Sequence, residues 1–295
     1  MVKDTYGGKW TERKLTSLRK YLAAYRTIFT RNPKAKYFTT WYVDAFAGTG
    51  KRATKEQPAT PLFAEFYRDA DGHSYRDGST AIALGLASPF DRYRFIEKSK
   101  KRIQALKELV ETTYPAIADR CTFDLADSNV SLKQWSAQRD WKKERAVVFL
   151  DPFGMQVDWE TVEALAKTGG VDLWYLFPLG IGVARTLTRD GVIDEAWQTR
   201  LDALFGTKDW RDRFYRKEKQ TTLFEEHEDQ LVRDASEQAI VKFIEERLKS
   251  IFQHVAKGSV LRNSKNNPLY LLCFCASNPK GGTVAVKIAQ NILKE

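Results

Sequence analysis

The fold is decided by a nine-residue stretch near the start of the chain, Tyr42-Val43-Asp44-Ala45-Phe46-Ala47-Gly48-Thr49-Gly50. Residues 37–46 are aromatic and β-branched, a composition that predicts a strand. The glycines that follow predict a tight turn, because glycine adopts positive φ angles without steric cost. A strand that runs into a glycine turn is typical of α/β sheets whose ligands bind beyond the carboxyl ends of the strands.

Strands and helices alternate downstream of this turn. The predicted strands cover residues 92–97, 120–124, 146–150 and 171–177, and the predicted helices cover residues 99–113, 130–138 and 159–166. Such alternation implies a mostly parallel sheet with right-handed crossovers and helices on both faces. We therefore predict a doubly wound, Rossmann-like α/β fold.

The chain divides into three predicted regions. An N-terminal helix occupies residues 1–34, a Rossmann-like domain takes residues 35–180 and 250–295, and a charged helical insertion over 181–249 precedes the last strands. The apolar face of the first helix has helical spacing: Leu15, Leu18, Leu22 and Tyr25. Ser79 is predicted to cap a helix that continues to Ala87, after a loop-rich segment.

Composition limits the class of protein. The chain has 295 residues and a net charge of +10, with 48 Lys and Arg against 38 Asp and Glu, which favours acidic partners such as nucleic acid. Three cysteines without a CxxC pair and three widely spaced histidines predict neither a disulfide framework nor a metal site. No apolar stretch reaches the ~20 residues of a membrane span, and the first residues lack a signal-peptide core, so we predict a cytoplasmic protein without a membrane partner.

Three kinds of nucleotide site use a glycine turn of this type. A P-loop is rejected because Ala45 stands at its first glycine position and Arg52 replaces the magnesium-binding Ser or Thr. A nicotinamide site is disfavoured because a long, proline-containing loop follows Gly50, where a helix should begin. An S-adenosylmethionine site fits best, since that ligand has no phosphate and needs a tight turn with acidic partners. The predicted residues of the turn are Asp44, Phe46, Gly48 and Gly50.

Acidic residues at the strand ends extend this predicted cofactor site. Asp44 is expected to meet the ammonium group of the cofactor, directly or through water. Glu97 ends the second strand and is expected to accept both ribose hydroxyls. Asp127 or Asp124 is expected to accept the adenine amino group, and Asp127 also has the sequence position of a helix N-cap.

A second motif, Asp151-Pro152-Phe153-Gly154, follows the apolar run at residues 146–150. The Asp151 carboxylate and the Pro152 carbonyl can each accept a hydrogen bond from an exocyclic amine, which would aim the nitrogen lone pair at a methyl donor. Phe153 can stack on a planar base flipped out of its helix. The structural alternative is a turn in which Asp151 caps the following helix. We predict Asp151, Pro152 and Phe153 as the catalytic residues.

The insertion carries a mixture of basic and aromatic residues suited to phosphates and stacked bases: Trp210, Arg211, Arg213, Phe214, Tyr215, Arg216, Lys217 and Lys219. The alternative is a helix with a solvated basic face and a buried aromatic face. An acidic run over residues 225–229 would repel phosphate and argues against the nucleic-acid interpretation.

These motifs together resemble class I S-adenosylmethionine-dependent methyltransferases. The Asp-Pro-Phe-Gly form departs from the [DNS]-P-P-[YFW] pattern of amino-methylating members and is similar to transfer-RNA guanine-N2 methyltransferases. Over essentially its full length the chain also resembles the three-Cys-motif partner (TcmP) family of bacteria and phages. The matching positions are 10–11, 14–15, 21–22, 42–48, 78–79, 95–97, 151–154, 176–178 and 277–279.

The resemblance implies a Rossmann-like methyltransferase fold, S-adenosyl-L-methionine as cofactor and a partner protein, a three-Cys-motif radical S-adenosylmethionine-type enzyme. It supplies no substrate. Three functions therefore stay open: a methyltransferase acting on a nucleic-acid amino group, a methyltransferase-like partner module of the radical enzyme, and a small-molecule methyltransferase.

Overall fold

In the computed structural model, which describes residues 9–49, 78–218 and 230–295, strands and helices alternate as predicted. The strands are β1 Thr39–Asp44, β2 Arg92–Glu97, β3 Cys121–Leu125, β4 Glu144–Leu150, β5 Val171–Phe177, β6 Tyr215–Glu218, β7 Gln230–Arg233, β8 His254–Val255, β9 Ser259–Arg262 and β10 Pro268–Ala276. The α-helices are α1 Lys9–Arg31, α2 Ser79–Leu84, α3 Lys100–Thr113, α4 Ser128–Ala137, α5 Trp159–Ala166, α6 Glu195–Phe205, α7 Trp210–Phe214, α8 Glu237–Ile251 and α9 Gly282–Lys294. A 3-10 helix covers Pro115–Arg120, and a π-helix covers Leu179–Ala184.

Eight strands form one sheet in the order β3-β2-β1-β4-β5-β10-β8, with β9 also paired to β10. The pairs among β1 to β5 are parallel, whereas β10 runs antiparallel to β5, β8 and β9. The predicted doubly wound, mostly parallel Rossmann-like fold is confirmed. The strand order reverses between β1 and β4, so the carboxyl ends of these two strands form the switch point at which such sheets bind ligands.

Helices cover both faces of the sheet. Successive residues of a strand point to opposite faces, so Val148 and Leu150 of β4 join one hydrophobic cluster and Val147 and Phe149 join the other. The first cluster includes side chains of α4 to α8, and the second includes side chains of α1, α2, α3 and α9. Strands β4 and β5 are buried on both faces, which is why their sequences are continuous apolar runs.

The predicted apolar face of helix α1 is confirmed. Leu15, Leu18, Leu22 and Tyr25 are all buried. The helix begins at Lys9 and ends at Arg31, and it packs against α9 and α2. The N-terminal part of the chain is thereby joined to the second cluster of the core.

The segment between β5 and β8 is helical, as predicted, but it also contains a short antiparallel pair, β6 with β7. Its buried side chains, among them Phe205, Phe214 and Phe243, belong to the same cluster as the β4 and β5 residues. The division of the chain into residues 1–34, 35–180 with 250–295, and 181–249 stays a prediction.

Asp172, at the start of β5, is a buried carboxyl group beneath helix α1. Tyr21 of α1 donates its hydroxyl to Asp172 Oδ2 at 2.6 Å. Burial raises the pKa of Asp172 to about 7, although the Tyr21 hydrogen bond and the charge of Arg145 oppose the rise. The pKa of an aspartate in an unfolded chain is about 3.9, so the folded state binds the carboxyl proton of Asp172 more tightly than the unfolded state does. This proton binding stabilises the fold at low pH, and the stabilisation is lost as the pH rises from about 4 to about 7.

Substituting Asp172→Asn is expected to remove this pH-dependent loss. The free energy of unfolding of the variant minus that of the wild type should increase by up to about 4 kcal/mol between about pH 4 and pH 7, and stay level above that range. Urea denaturation across this range measures the difference. The exposed Asp212→Asn is the matched control and should follow the wild type. A difference for Asp172→Asn that does not change with pH would contradict the prediction.

Candidate cofactor and catalytic site

The predicted cofactor residues Gly48 and Glu97 contact each other at the carboxyl ends of β1 and β2. Glu97 Oε2 accepts a hydrogen bond from the Gly48 N–H at 3.1 Å, and Glu97 Oε1 accepts one from the Ser99 N–H at 2.8 Å. The Glu97 residue is only 7% exposed. An ionised carboxylate has about four acceptor positions, so Glu97 keeps acceptor capacity for ligand hydroxyls beside the glycine turn.

The glycine turn is fixed by backbone contacts with its neighbours. The Ala47 N–H donates to the Ile96 carbonyl of β2 at 3.0 Å, and the Ala45 N–H donates to the Phe149 carbonyl of β4 at 3.1 Å. Gly48 has φ of 61°, a value that side-chain-bearing residues rarely adopt, so the sequence places glycine where the turn requires it. Phe46 is partly buried and packs against the first cluster. Gly50, also predicted to line the site, lies outside the described residues.

Asp44 is completely buried at the end of β1. Its Oδ2 atom accepts hydrogen bonds from the hydroxyls of Ser79 at 2.5 Å, Thr80 at 3.3 Å and Tyr42 at 3.3 Å. Burial raises the pKa of Asp44 to about 6; the Ser79 hydrogen bond opposes this rise, and the negative charge of Asp151 adds to it. The geometry shows that Asp44 joins β1 to the start of α2, while its contact with a cofactor ammonium stays a prediction.

The predicted capping role of Ser79 is wrong. Helix α2 begins at Ser79 itself and ends at Leu84, and the N-cap position belongs to Gly78, without a side-chain cap. The Ser79 hydroxyl donates to the Asp44 carboxylate instead, and hydrogen bonds to ionised acceptors are the stronger ones.

Asp124 and Asp127, the two candidates for the adenine amino group, are both engaged by the protein. Asp127 is the N-cap of α4, where its Oδ1 atom accepts from the N–H groups of Asn129 at 2.9 Å and Val130 at 3.4 Å. Asp124 Oδ2 accepts from the Ser131 hydroxyl at 2.6 Å and forms an ion pair with Arg94. The N-cap alternative for Asp127 is confirmed, and the adenine role of either residue stays a prediction.

Asp151 lies immediately after β4, at the same switch point. The alternative that it caps the next helix is wrong, because α5 begins at Trp159 and Asp158 holds its N-cap position. Asp151 Oδ2 instead accepts from Lys14 Nζ of helix α1 at 2.5 Å. The interaction joins residues 137 positions apart in the sequence.

The rest of the Asp-Pro-Phe-Gly motif forms a turn that presents an aromatic ring. Pro152 is buried, whereas Phe153 is 50% exposed. The Phe153 N–H donates to Gln156 Oε1 at 3.0 Å, and Gly154 has φ of 72°. The exposure of Phe153 is compatible with the predicted stacking on a planar acceptor, which stays a prediction.

Lys14 is the residue that sequence reasoning missed. It is 6% exposed, and its ammonium group lies 5.5 Å from the centroid of the Trp10 ring. Trp10 in turn stacks on Tyr270 with ring centroids 5.3 Å apart. The sequence feature that could have indicated its burial is its position four residues before Leu18, which places it on the apolar face of α1.

The three aromatic residues at positions 210, 214 and 215 of the insertion are not available for base stacking. Trp210, Phe214 and Tyr215 are buried in the first cluster. The interleaved arginines have acidic partners: Arg211 pairs with Asp202, Arg213 with Glu246 and Arg216 with Glu218. The predicted burial of the aromatic side chains is confirmed for these residues, but the predicted helix is wrong beyond Phe214, because residues 215–218 form strand β6. Lys219 lies outside the described residues.

The described residues contain neither a candidate membrane span nor a candidate metal cluster. No helix there is long and apolar enough to cross a membrane. Across the same residues, His, Cys, Asp and Glu side chains do not gather in groups of three or more that could hold a metal ion.

No family model matches the sequence. No curated protein matches it either. Among solved structures, protein LPL1258 from Legionella pneumophila is similar at 15% identity and a TM-score of 0.41, over 83% of this chain and 93% of that one. An rRNA methylase from Streptococcus thermophilus is similar at 11% identity and a TM-score of 0.29, over 73% and 93%. Magnesium protoporphyrin IX methyltransferase (ChlM) from Synechocystis, solved with bound SAM, is similar at 12% identity and a TM-score of 0.31, over 75% and 78%.

Proposed function

We propose that this protein is an S-adenosylmethionine-dependent methyltransferase. The observation that carries the proposal is the contact of the Glu97 carboxylate with the Gly48 turn at the switch point of the sheet, with Asp151 at the end of the neighbouring strand β4. This arrangement places a hydroxyl acceptor, a closely approachable backbone and a second carboxylate at one edge of a doubly wound sheet.

The residues at this edge fit the proposed cofactor in chemical type. Glu97 has acceptor capacity left for two ribose hydroxyls, and Asp44 is a carboxylate suited to an ammonium group. When bound, S-adenosylmethionine supplies an activated methyl group on a sulfonium leaving group. The residues of the chain therefore need only to bind the cofactor, orient the methyl acceptor and take up the proton that the acceptor loses.

Asp151 is the proposed catalytic residue. Its carboxylate would accept an N–H of the methyl acceptor, together with the Pro152 carbonyl, and so orient the nitrogen lone pair. Phe153, half exposed beside it, would stack on a planar acceptor. These roles favour an exocyclic amino group as the methylated nitrogen.

For the acceptor class, we favour nucleic acid. The support is the net charge of +10 and the exposed aromatic ring next to Asp151. The buried aromatics of the insertion give no support. Membership of the three-Cys-motif partner family, and the radical enzyme as a partner, rest on the sequence resemblance alone.

Transfer of a labelled methyl group tests the acceptor class. The chain is incubated with labelled S-adenosylmethionine and separate fractions of RNA, DNA, protein and small molecules. We expect label in RNA or DNA, on an amino nitrogen, with a yield that falls steeply as salt rises. Label in the small-molecule fraction alone would contradict the nucleic-acid proposal. A chain that binds the cofactor yet labels no fraction would favour the partner-module function.

A further inference from the structure

Two basic side chains are buried in the described part of the chain, Lys14 and Arg26, and both belong to α1. Arg26 donates to the Thr40 hydroxyl near the amino end of β1, so it lies at the edge of the sheet opposite the candidate site. Lys14 reaches Asp151, just beyond the carboxyl end of β4. Within the described residues, Lys14 is therefore the buried basic side chain at the edge of the sheet that carries the candidate site.

The ammonium group of Lys14 has unused donors. It carries three N–H bonds, of which one is directed at Asp151 Oδ2. Besides that ion pair and the Trp10 ring, the described residues supply no further partner. The Lys14 side chain is only 7% exposed. Buried donors are as a rule paired, so these N–H bonds need an acceptor from outside the described residues, and a ligand bound at this edge of the sheet can supply it.

The charges at the site indicate which ligand group that acceptor is. The other ionisable side chains assembled at this edge are the carboxyl groups of Asp44, Glu97 and Asp151 and the guanidinium of Arg102, which is 37% exposed and lies 3.8 Å from Glu97. The carboxyl groups suit hydroxyls and ammonium groups but repel a carboxylate, and Arg102 is paired with Glu97, so Lys14 is the buried cation at this edge with donors left for a carboxylate. The proposed cofactor ends in a methionyl group that carries both an ammonium and a carboxylate. We propose that Lys14 binds this α-carboxylate, so that helix α1 completes the cofactor site. This inference rests on the proposed function.

Decarboxylated S-adenosylmethionine, which lacks only the carboxylate, tests the assignment directly. Calorimetric titration of both ligands into the wild type should show tighter binding of S-adenosylmethionine by roughly 10–100-fold. Lys14→Met should lose that preference, binding S-adenosylmethionine about as weakly as the decarboxylated ligand. The decarboxylated ligand should bind wild type and variant within about twofold, because its affinity does not use Lys14. Lys14→Arg, which keeps the charge, should retain most of the preference.

The matched control is Lys20→Met, since Lys20 lies on the same helix, is exposed and pairs with Glu295. It should behave as the wild type with both ligands. Thermal melting of each variant shows whether it is folded. If Lys14→Met is not, Lys14→Gln carries the test, because it removes the charge but keeps a polar side chain, and it too should lose the preference. Equal affinity of the wild type for the two ligands, or equal weakening of both in Lys14→Met, would overturn the role of Lys14 and leave the cofactor proposal standing. A folded wild type that binds neither ligand would overturn the proposed function, and this inference with it.

Discussion

Substituting Asp151→Asn is expected to lower the rate of methyl transfer by roughly 100-fold or more, while cofactor affinity changes far less. Asparagine has the same size, but it lacks the negative charge that accepts the amine N–H and takes up its proton. It also turns one acceptor atom into a donor next to an amine. The measurement is the initial rate of labelled methyl transfer into whichever fraction the wild type labels.

The matched control for this prediction is Asp158→Asn, since Asp158 holds the N-cap position of α5 and pairs with Arg200 at 2.6 Å. That variant should keep a rate close to that of the wild type. If Asp151→Asn instead transferred methyl groups about as fast as the wild type, Asp151 would not be the catalytic residue, and the acceptor would have to be oriented by other groups.

The second large effect is expected on cofactor binding. Glu97→Ala should weaken the affinity for S-adenosylmethionine by roughly 10–100-fold, the range for loss of hydrogen bonds to a charged group. The substitution removes the proposed ribose acceptor and also the partner of the Gly48 N–H, so both the contact and the shape of the turn are affected. Calorimetric titration measures the change.

Glu111→Ala provides the comparison, because Glu111 is exposed on α3, the helix that follows Glu97. Its affinity should equal that of the wild type. Unchanged affinity in a folded Glu97→Ala protein would show that the cofactor binds elsewhere or that its ribose is held by other residues.

The fold could be predicted because its strands are long enough to carry a pattern. β4 and β5 are apolar throughout, since both faces are covered, and the prediction for β5 matches its observed bounds. The four-residue β6, β7 and β9 and the two-residue β8 were not predicted individually. A segment of two to four residues shows no hydrophobic period, and its pairing depends on partners that are distant in sequence.

The candidate site could be predicted where it follows from strand ends. Asp44, Glu97 and Asp151 each stand at or just beyond the end of a parallel strand, and parallel strands end at the same edge. Lys14 could not be assigned in this way, because its partner is 137 residues away. Its position on the same helix face as Leu18 and Tyr21 predicts that Lys14 is buried, but does not predict which residue it pairs with.

Burial of the aromatic residues at 210–215 could not be predicted from the local sequence, for a different reason. Alternating basic and aromatic residues produce the same sequence pattern whether the rings face solvent or the core. In this chain the rings of Trp210, Phe214 and Tyr215 are buried, and that of Phe214 packs next to Phe205 and Phe243. The packing partners that decide between the two lie in α6 and α8, which local sequence does not reveal.

The central claim is that the switch point of this sheet binds S-adenosylmethionine. Calorimetric titration of the folded wild type with S-adenosylmethionine, S-adenosylhomocysteine, ATP and NADH tests it most directly. We predict binding of the first two in the micromolar range, typical of enzyme ligands, and none of ATP or NADH. Absence of binding by S-adenosylmethionine and its product, or tighter binding of NADH, would contradict the account.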